Sequence, residues 1–166
     1  DRIVLPDGKR AVVCYFYDMT ERETQDRQLR EVEERQTFLL KLSDATREIN
    51  DPKRLADITV ELLARHMGAA RCIYGSIDEG EVFHLEGEWC KENIPPMPAS
   101  LRVVDLGELN LMQGRTVVID DTGADDRVHE QAFDGMGRMR AAIGVPQVKN
   151  GRLVAGFGVL FNKPRR

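Results

Sequence analysis

The chain has 166 residues, 24 of them basic and 28 acidic, for a net charge of −4, and 42% are hydrophobic. This length is enough for one domain with a substantial core plus an extension. The chain is mildly acidic and has no basic stripe interleaved with aromatic residues, which argues against nucleic acid as a partner. Three widely spaced cysteines, no signal-peptide pattern and no apolar run of membrane-spanning length favour a reduced, cytoplasmic protein without disulfides or membrane contact.

The first predicted element is a β-hairpin. Residues 3–5 and 11–17 are rich in β-branched and aromatic side chains, and the Pro-Asp-Gly sequence at residues 6–8 is typical of a tight turn. An isolated hairpin is only marginally stable in water, so we expect this one to belong to a larger sheet. The sequence DMTER at residues 18–22 resembles the signature that ends PAS sensor domains, where the last strand passes into a signalling helix.

One long helix, or two abutting helices, is predicted next, because residues 20–49 contain no proline or glycine and are dominated by Glu, Arg, Gln and Leu. Acid-before-base pairs four residues apart contribute only about 0.2–0.5 kcal/mol each, which is too little to hold the helix alone. We therefore expect a coiled-coil seam between two copies of the chain at the heptad positions Leu29, Val32, Gln36 and Leu39. The apolar positions then change phase, so the second half is predicted to face its own domain. A solvated monomeric helix is the alternative.

A second helix and two strands follow. Asp51 is the predicted N-cap, Pro52 opens the helix and Gly68 ends it. Residues 71–78 and 81–88 are predicted to form strands. In the first strand, alternation places Cys72, Tyr74 and Ser76 on one face and Ile73 and Ile77 on the other.

The middle of the chain is more irregular. Three prolines make residues 93–98 a stiff loop. A short strand and a short helix are predicted within residues 101–113, then a buried strand at residues 116–119 and a helix at residues 125–136.

A second hairpin closes the chain, because Asn150-Gly151 favours a type I′ turn between two apolar runs. Both faces of its second arm are apolar, so this arm is an interior strand. Pro146 predicts an edge or a bulge in the first arm. Gly156 and Gly158 share one face, and we expect the N-terminal helices to pack there.

The order of elements from about residue 36 to residue 162 resembles a GAF domain. The sequences GRTVVIDD at residues 114–121 and IGVPQVKNGRLVA at residues 143–155 carry the resemblance. It implies an α+β fold, with an antiparallel sheet of five or six strands, N-terminal helices on one face and a pocket on the other, preceded by the β-hairpin and the long signalling helix. With the PAS-like exit, the chain is similar to the sensor half of bacterial PAS-GAF histidine kinases.

These resemblances divide the chain into four parts. Residues 1–19 are expected to be the C-terminal hairpin of a PAS domain, and residues 20–35 a helical, coiled-coil linker. Residues 36–162 would be the GAF domain, and residues 163–166 the exit to a downstream domain. Since the sequence does not begin with Met, we expect a piece of a longer two-component sensor kinase and no enzymatic activity in the piece itself.

The expected function is regulatory sensing. An unidentified small ligand, or the state of the neighbouring PAS domain, would change how the domain packs on its helices, and the dimer would pass that change to an output domain. No metal or cofactor is predicted, since no histidine has a second ligand at metal-binding spacing. The predicted pocket residues are Tyr74, Trp89, Phe133 and Met136 as walls, with Cys90 and Asp121 near the mouth.

Three alternatives stay open. The domain would be a ligand-free dimerisation spacer if side chains fill its pocket. It would be a redox enzyme if Cys72 and Cys90 cluster as in the GAF-fold reductases of free methionine sulfoxide; Cys14 lies outside the domain. A bilin chromophore would attach through a cysteine that is commonly followed by His, whereas Cys90 is followed by Lys91.

Overall fold

The computed structural model describes residues 2–4, 6–12 and 20–165, which form two compact units, Asp1–Leu40 and Lys41–Arg166. In the first unit, β1 (Arg2–Val4) pairs antiparallel with β2 (Arg10–Val12), as the predicted N-terminal hairpin requires. Cys14 and the first two residues of the PAS-like signature lie outside the described residues.

Helix α1 is continuous from Thr20 to Thr46, so the sequence forms one long helix rather than two. The seam positions Leu29, Val32 and Leu39 are 63%, 52% and 51% exposed, and Gln36 is also exposed. An apolar stripe therefore lies on the surface of the single chain. Whether a second copy covers it stays a prediction.

Helix α2 (Pro52–Met67) has the predicted ends. The Asp51 side chain accepts a hydrogen bond from the backbone N–H of Lys53 at 3.1 Å, and Gly68 ends the helix in the left-handed conformation at φ 64°. Small side chains on the buried stripe, Ala56, Val60 and Ala64, allow the helix to lie close against the sheet.

The second unit contains a six-stranded, fully antiparallel sheet in the order β5-β4-β3-β8-β7-β6. This confirms the predicted α+β fold, with helix α2 packed on one face. The remaining elements are β3 (Arg71–Ile77), β4 (Val82–Cys90), β5 (Ser100–Arg102), β6 (Val117–Ile119), α3 (Glu130–Gly135), β7 (Ala141–Lys149) and β8 (Arg152–Phe161).

The two faces of the sheet carry separate hydrophobic clusters. On the helix face, Val60 and Ala64 of α2 pack with Cys72 and Val159 of the sheet. On the opposite face, here called the cavity face, Ile73 lies in a second cluster with residues that follow β4 and β6. The alternation predicted for β3 is confirmed.

The closing hairpin is confirmed, with Asn150 and Gly151 at φ 51° and 72°. Strand β6 pairs only with Ala142–Gly144 of β7, so no described strand lies beside Pro146 on that side. The register of β7 against β8 shifts one residue later, between Gln147 and Val148. The local edge and the bulge, either of which accommodates a strand proline, are therefore both present.

One prediction about this hairpin was wrong. Gly156 and Gly158 do not receive the helices. A Cβ added at Gly158 would meet the side chain of Ile73 at 2.9 Å, which places this glycine on the cavity face. The glycine against α2 is Gly87, where an added Cβ would lie 2.9 Å from the Cβ of Ala56.

Candidate functional site

A cavity of about 100 Å³ lies on the face of the sheet opposite α2. Its floor is the cavity face of strands β3, β4, β7 and β8. Its wall is formed by the segments that include α3 and two short 3-10 helices, Val103–Leu106 and Leu111–Gln113. Representative lining residues are Ile73, Phe83 and Leu160 from the sheet, and Leu109, Phe133 and Met136 from the wall.

The chemistry of the lining is uniform, because every lining residue is hydrophobic, glycine or proline. Three glycines, Gly144, Gly156 and Gly158, contribute to the floor. At Gly144 an added Cβ would meet only Leu111 Cδ2 at 3.9 Å and Val117 Cβ at 4.0 Å, which are ordinary van der Waals contacts. The missing side chain at this position leaves part of the space open.

Backbone hydrogen bonds hold the wall together. The N–H of Glu108 donates to the carbonyl of Arg127 at 2.7 Å, and the N–H of His129 donates to the carbonyl of Leu106 at 3.1 Å. Gly107 lies between them at φ 117°, where a Cβ would be 2.1 Å from the Arg127 carbonyl oxygen. Only glycine fits there, and the close contact fixes the 3-10 segment against the start of α3.

A buried ion pair anchors the proline loop beside the cavity. The Arg71 side chain is fully buried, and its Nη1 lies 3.1 Å from Oε1 of Glu88. Its Nη2 donates to the carbonyl of Pro95, and the same Glu88 oxygen accepts from the N–H of Met97 at 3.3 Å. Since Met97 lines the cavity, the pair fixes one part of the cavity wall. Sequence reasoning missed Arg71, although alternation places it on the same face as Ile73.

The structure divides the predicted pocket residues between the two faces of the sheet. Phe133 and Met136 line the cavity. Tyr74 and Trp89 lie on the helix face, where the Tyr74 ring is 4.6 Å from that of Phe157 and the Arg65 guanidinium is 5.5 Å from the Trp89 ring. Strand alternation is the reason: Tyr74 follows Ile73, and Trp89 pairs with Cys72.

Cys90 and Asp121 are not among the lining residues. The Sγ atom of Cys90 lies 3.9 Å from the carbonyl oxygen of Ile94, under the proline loop. Asp121 accepts a hydrogen bond from Arg140 Nη2 at 2.6 Å, and this bond lowers the pKa of the carboxyl group. That any of the six residues binds a ligand stays a prediction.

The two cysteines of this unit lie on opposite faces of the sheet. Cys72 lies opposite Trp89, and Cys90 lies opposite Arg71, the residue before Cys72. Since successive residues of a strand point to opposite faces, the two thiols lie on opposite faces of the sheet. Cys72 is fully buried, and burial raises the pKa of its thiol to about 12. A disulfide between them would require a rearrangement of the strands.

Neither a metal centre nor a membrane span is found in the part of the chain that the structure describes. No group of three or more His, Cys, Asp or Glu side chains there is arranged to hold a metal ion. No helix there combines the length and the apolar character needed to cross a bilayer.

The model of the GAF domain family matches residues 51–165 of the chain, whereas no curated protein matches it.

Among solved structures, a GAF domain of a phosphoenolpyruvate-protein phosphotransferase from Coxiella burnetii has 12% identity and a TM-score of 0.62, covering 76% of this chain and 77% of that one. A phycocyanobilin-bound GAF domain of a cyanobacterial phytochrome has 12% identity and a TM-score of 0.65, covering 79% and 81%. The free methionine-R-sulfoxide reductase of Neisseria meningitidis, in complex with its substrate, has 15% identity and a TM-score of 0.62, covering 77% and 73%. At these identities the similarity shows a common fold.

Proposed function

We propose, because the chain belongs to the GAF domain family through residues 51–165, that it is the regulatory sensor module of a larger signalling protein. One observation carries the proposal: the same sheet has an apolar cavity on one face and a helix on the other. A molecule that fills the cavity and the helix that would move therefore contact opposite faces of the same strands. A ligand shifts such a system only by binding its packing states with different affinity.

Strands β3 and β8 are the shortest connection between the two faces. On β3, Ile73 lines the cavity and its neighbour Cys72 packs with Val60 and Ala64 of α2. On β8, Leu160 and Val159 alternate in the same way. A ligand that displaces Ile73 or Leu160 would change the surface on which α2 rests.

The proposed output is carried by the helices of a dimer. The exposed side chains of Leu29, Val32 and Leu39 support a coiled coil with a second copy, as the heptad spacing predicts. We place the module between a PAS domain and the output domain of a histidine kinase, on the resemblance of residues 18–22 to a PAS exit.

Trp89 allows the sensor function to be tested, because it is the one tryptophan and lies on the helix face. Its emission reports the contact with α2 rather than contact with a molecule in the cavity. We expect compounds that raise the unfolding midpoint to change the Trp89 emission as well. Compounds that raise the midpoint while leaving both the emission and the sedimentation coefficient unchanged would contradict a relay.

The seam is tested separately. Leu29→Asp and Val32→Asp place charges in the proposed interface, so sedimentation should show a monomer where the unaltered chain is a dimer. Glu33→Asp is the control, because it keeps the charge of an exposed helix residue outside the seam. An unchanged mass in both seam variants would show that the dimer, if present, uses another surface.

A ligand-free dimerisation spacer is the second candidate, favoured by the small volume of the cavity, about 100 Å³. A spacer of this kind would form a dimer whose sedimentation coefficient and Trp89 emission do not change when compounds of the size of the cavity are added. We do not extend bilin binding to this chain: Cys90 lies outside the lining, and the cavity is below the roughly 300–1,000 Å³ of typical ligand pockets. We likewise propose no redox activity, because Cys72 and Cys90 face opposite sides of the sheet.

A further inference from the structure

We propose that the cavity takes a small, uncharged, apolar molecule, of the size and chemistry of a light hydrocarbon or an unsubstituted aromatic ring. The inference rests on the proposed sensor function and specifies its ligand class. Three features of the cavity carry it: the composition of its lining, its volume and its glycine floor.

The lining excludes a charged ligand. None of its side chains is able to donate or accept a hydrogen bond of ordinary strength, and the floor backbone of strand β3 is paired on both sides, with Ile73 opposite Glu88 and Gly158. A carboxylate, phosphate or ammonium group placed there would lose its hydration without gaining a partner, which is strongly unfavourable. The buried cation Arg71 is not a lining residue, and its charge is paired with that of Glu88.

The volume limits the size of the occupant. The cavity measures about 100 Å³. An engineered apolar cavity of about 150 Å³ in another protein stays dry and binds benzene or xenon. Met97 and Met136 form part of the lining, and methionine side chains adapt their shape readily. An occupant between xenon and benzene in size fits with small movements of these two side chains.

The floor at Gly144 provides a specific way to reduce this space. Alanine there would add one methyl group in ordinary contact with Leu111 and Val117, without a backbone clash. Gly135, at the end of α3, offers the matched control, because a Cβ added there would meet nothing within 4 Å and Gly135 does not line the cavity.

The test measures binding of benzene and of benzoate to the 166-residue chain and to the two variants, by calorimetry and by the shift of the unfolding midpoint. We expect benzene to bind and to raise the midpoint, and benzoate to bind at least about tenfold more weakly because its charge finds no partner. Gly144→Ala should weaken benzene binding about fourfold, the equivalent of one methylene group of contact, whereas Gly135→Ala should leave it unchanged.

Three results would overturn the ligand class: no benzene binding, benzoate binding as strong as benzene, or equal affinities in both glycine variants. Failure of the sensor function gives a different result. If benzene binds as expected but leaves both the Trp89 emission and the sedimentation coefficient unchanged, the ligand class stands and the relay fails. If a charged compound binds and changes that emission, the relay stands and the ligand class fails.

Discussion

The two faces of the sheet are packed differently, although the same strands form both. On the helix face, small residues bring α2 so close that a Cβ at Gly87 would lie 2.9 Å from Ala56. On the cavity face, larger side chains cover a floor that contains glycine, and a cavity of about 100 Å³ remains between them. A closely packed face transmits a displacement, whereas a face with a void accommodates one. The difference suggests which side receives a signal and which side passes it on.

The largest effect is expected at the ion pair that anchors the cavity wall. Arg71→Met leaves Glu88 beside the core without its cation, and breaking a buried pair in this way destabilises a protein by about 3–5 kcal/mol. Urea unfolding measures the change. The double variant R71M/E88L removes both charges and should recover most of the loss.

The exposed pair between Arg152 and Glu79, with Nη1 and Oε1 3.0 Å apart, is the control. Arg152→Met should change the stability by about 0–1 kcal/mol, since surface pairs contribute little. Equal losses at Arg71 and Arg152 would mean that the buried pair does not hold the wall. The contrast between a fixed wall and an open cavity would then have to be abandoned.

The next effect compares the same substitution on the two faces. Gly87→Ala places a Cβ against the backbone and side chain of Ala56, and overpacking of this kind costs about 1–3 kcal/mol. Gly144→Ala adds the same methyl group in ordinary contact with Leu111 and Val117 and should stabilise the chain by about 0.4–1 kcal/mol, because alanine restricts the unfolded chain. Thermal unfolding of the two variants measures both values. Changes of the same sign would refute the asymmetry of the two faces.

Local signals predicted most of the fold. The caps of α2 at Asp51 and Gly68 and the turn at Asn150-Gly151 depend on the conformations of a few neighbouring residues, which the sequence specifies directly. Alternation likewise assigned Cys72 and Ile73 to opposite faces correctly. These features need no knowledge of distant contacts.

The candidate site was less predictable because it depends on which face each element covers. Alternation shows that Tyr74 and Ile73 face opposite ways, but not that the helix lies over Tyr74. The sequence-based prediction places Trp89 in the pocket wall, whereas its register with Cys72 places it under α2. The Gly156 and Gly158 face was assigned to the helices, although its close neighbours are the Ile73 side chain and the backbone of β7. Only the tertiary arrangement resolves such choices.

The smallest effect tests whether the helix face excludes water. Burial raises the pKa of the Cys72 thiol from 9.0 to about 12, so the folded state keeps a proton that the unfolded chain releases above pH 9.0. The contribution of this group is complete below that pH and is lost as the pH rises toward 12. At pH 10 the free energy of unfolding is lower by about 1 kcal/mol, from one pH unit of linkage. Urea unfolding between pH 8 and pH 10 should show this loss in the unaltered chain and in Cys90→Ala, which keeps Cys72. The Cys72→Ala variant should have a lower free energy of unfolding at pH 8. Its decrease between pH 8 and pH 10 should be smaller than that of the unaltered chain by the contribution of the Cys72 thiol. Parallel pH profiles for all three proteins would show that water reaches Cys72, and the helix face would then be no drier than the cavity face.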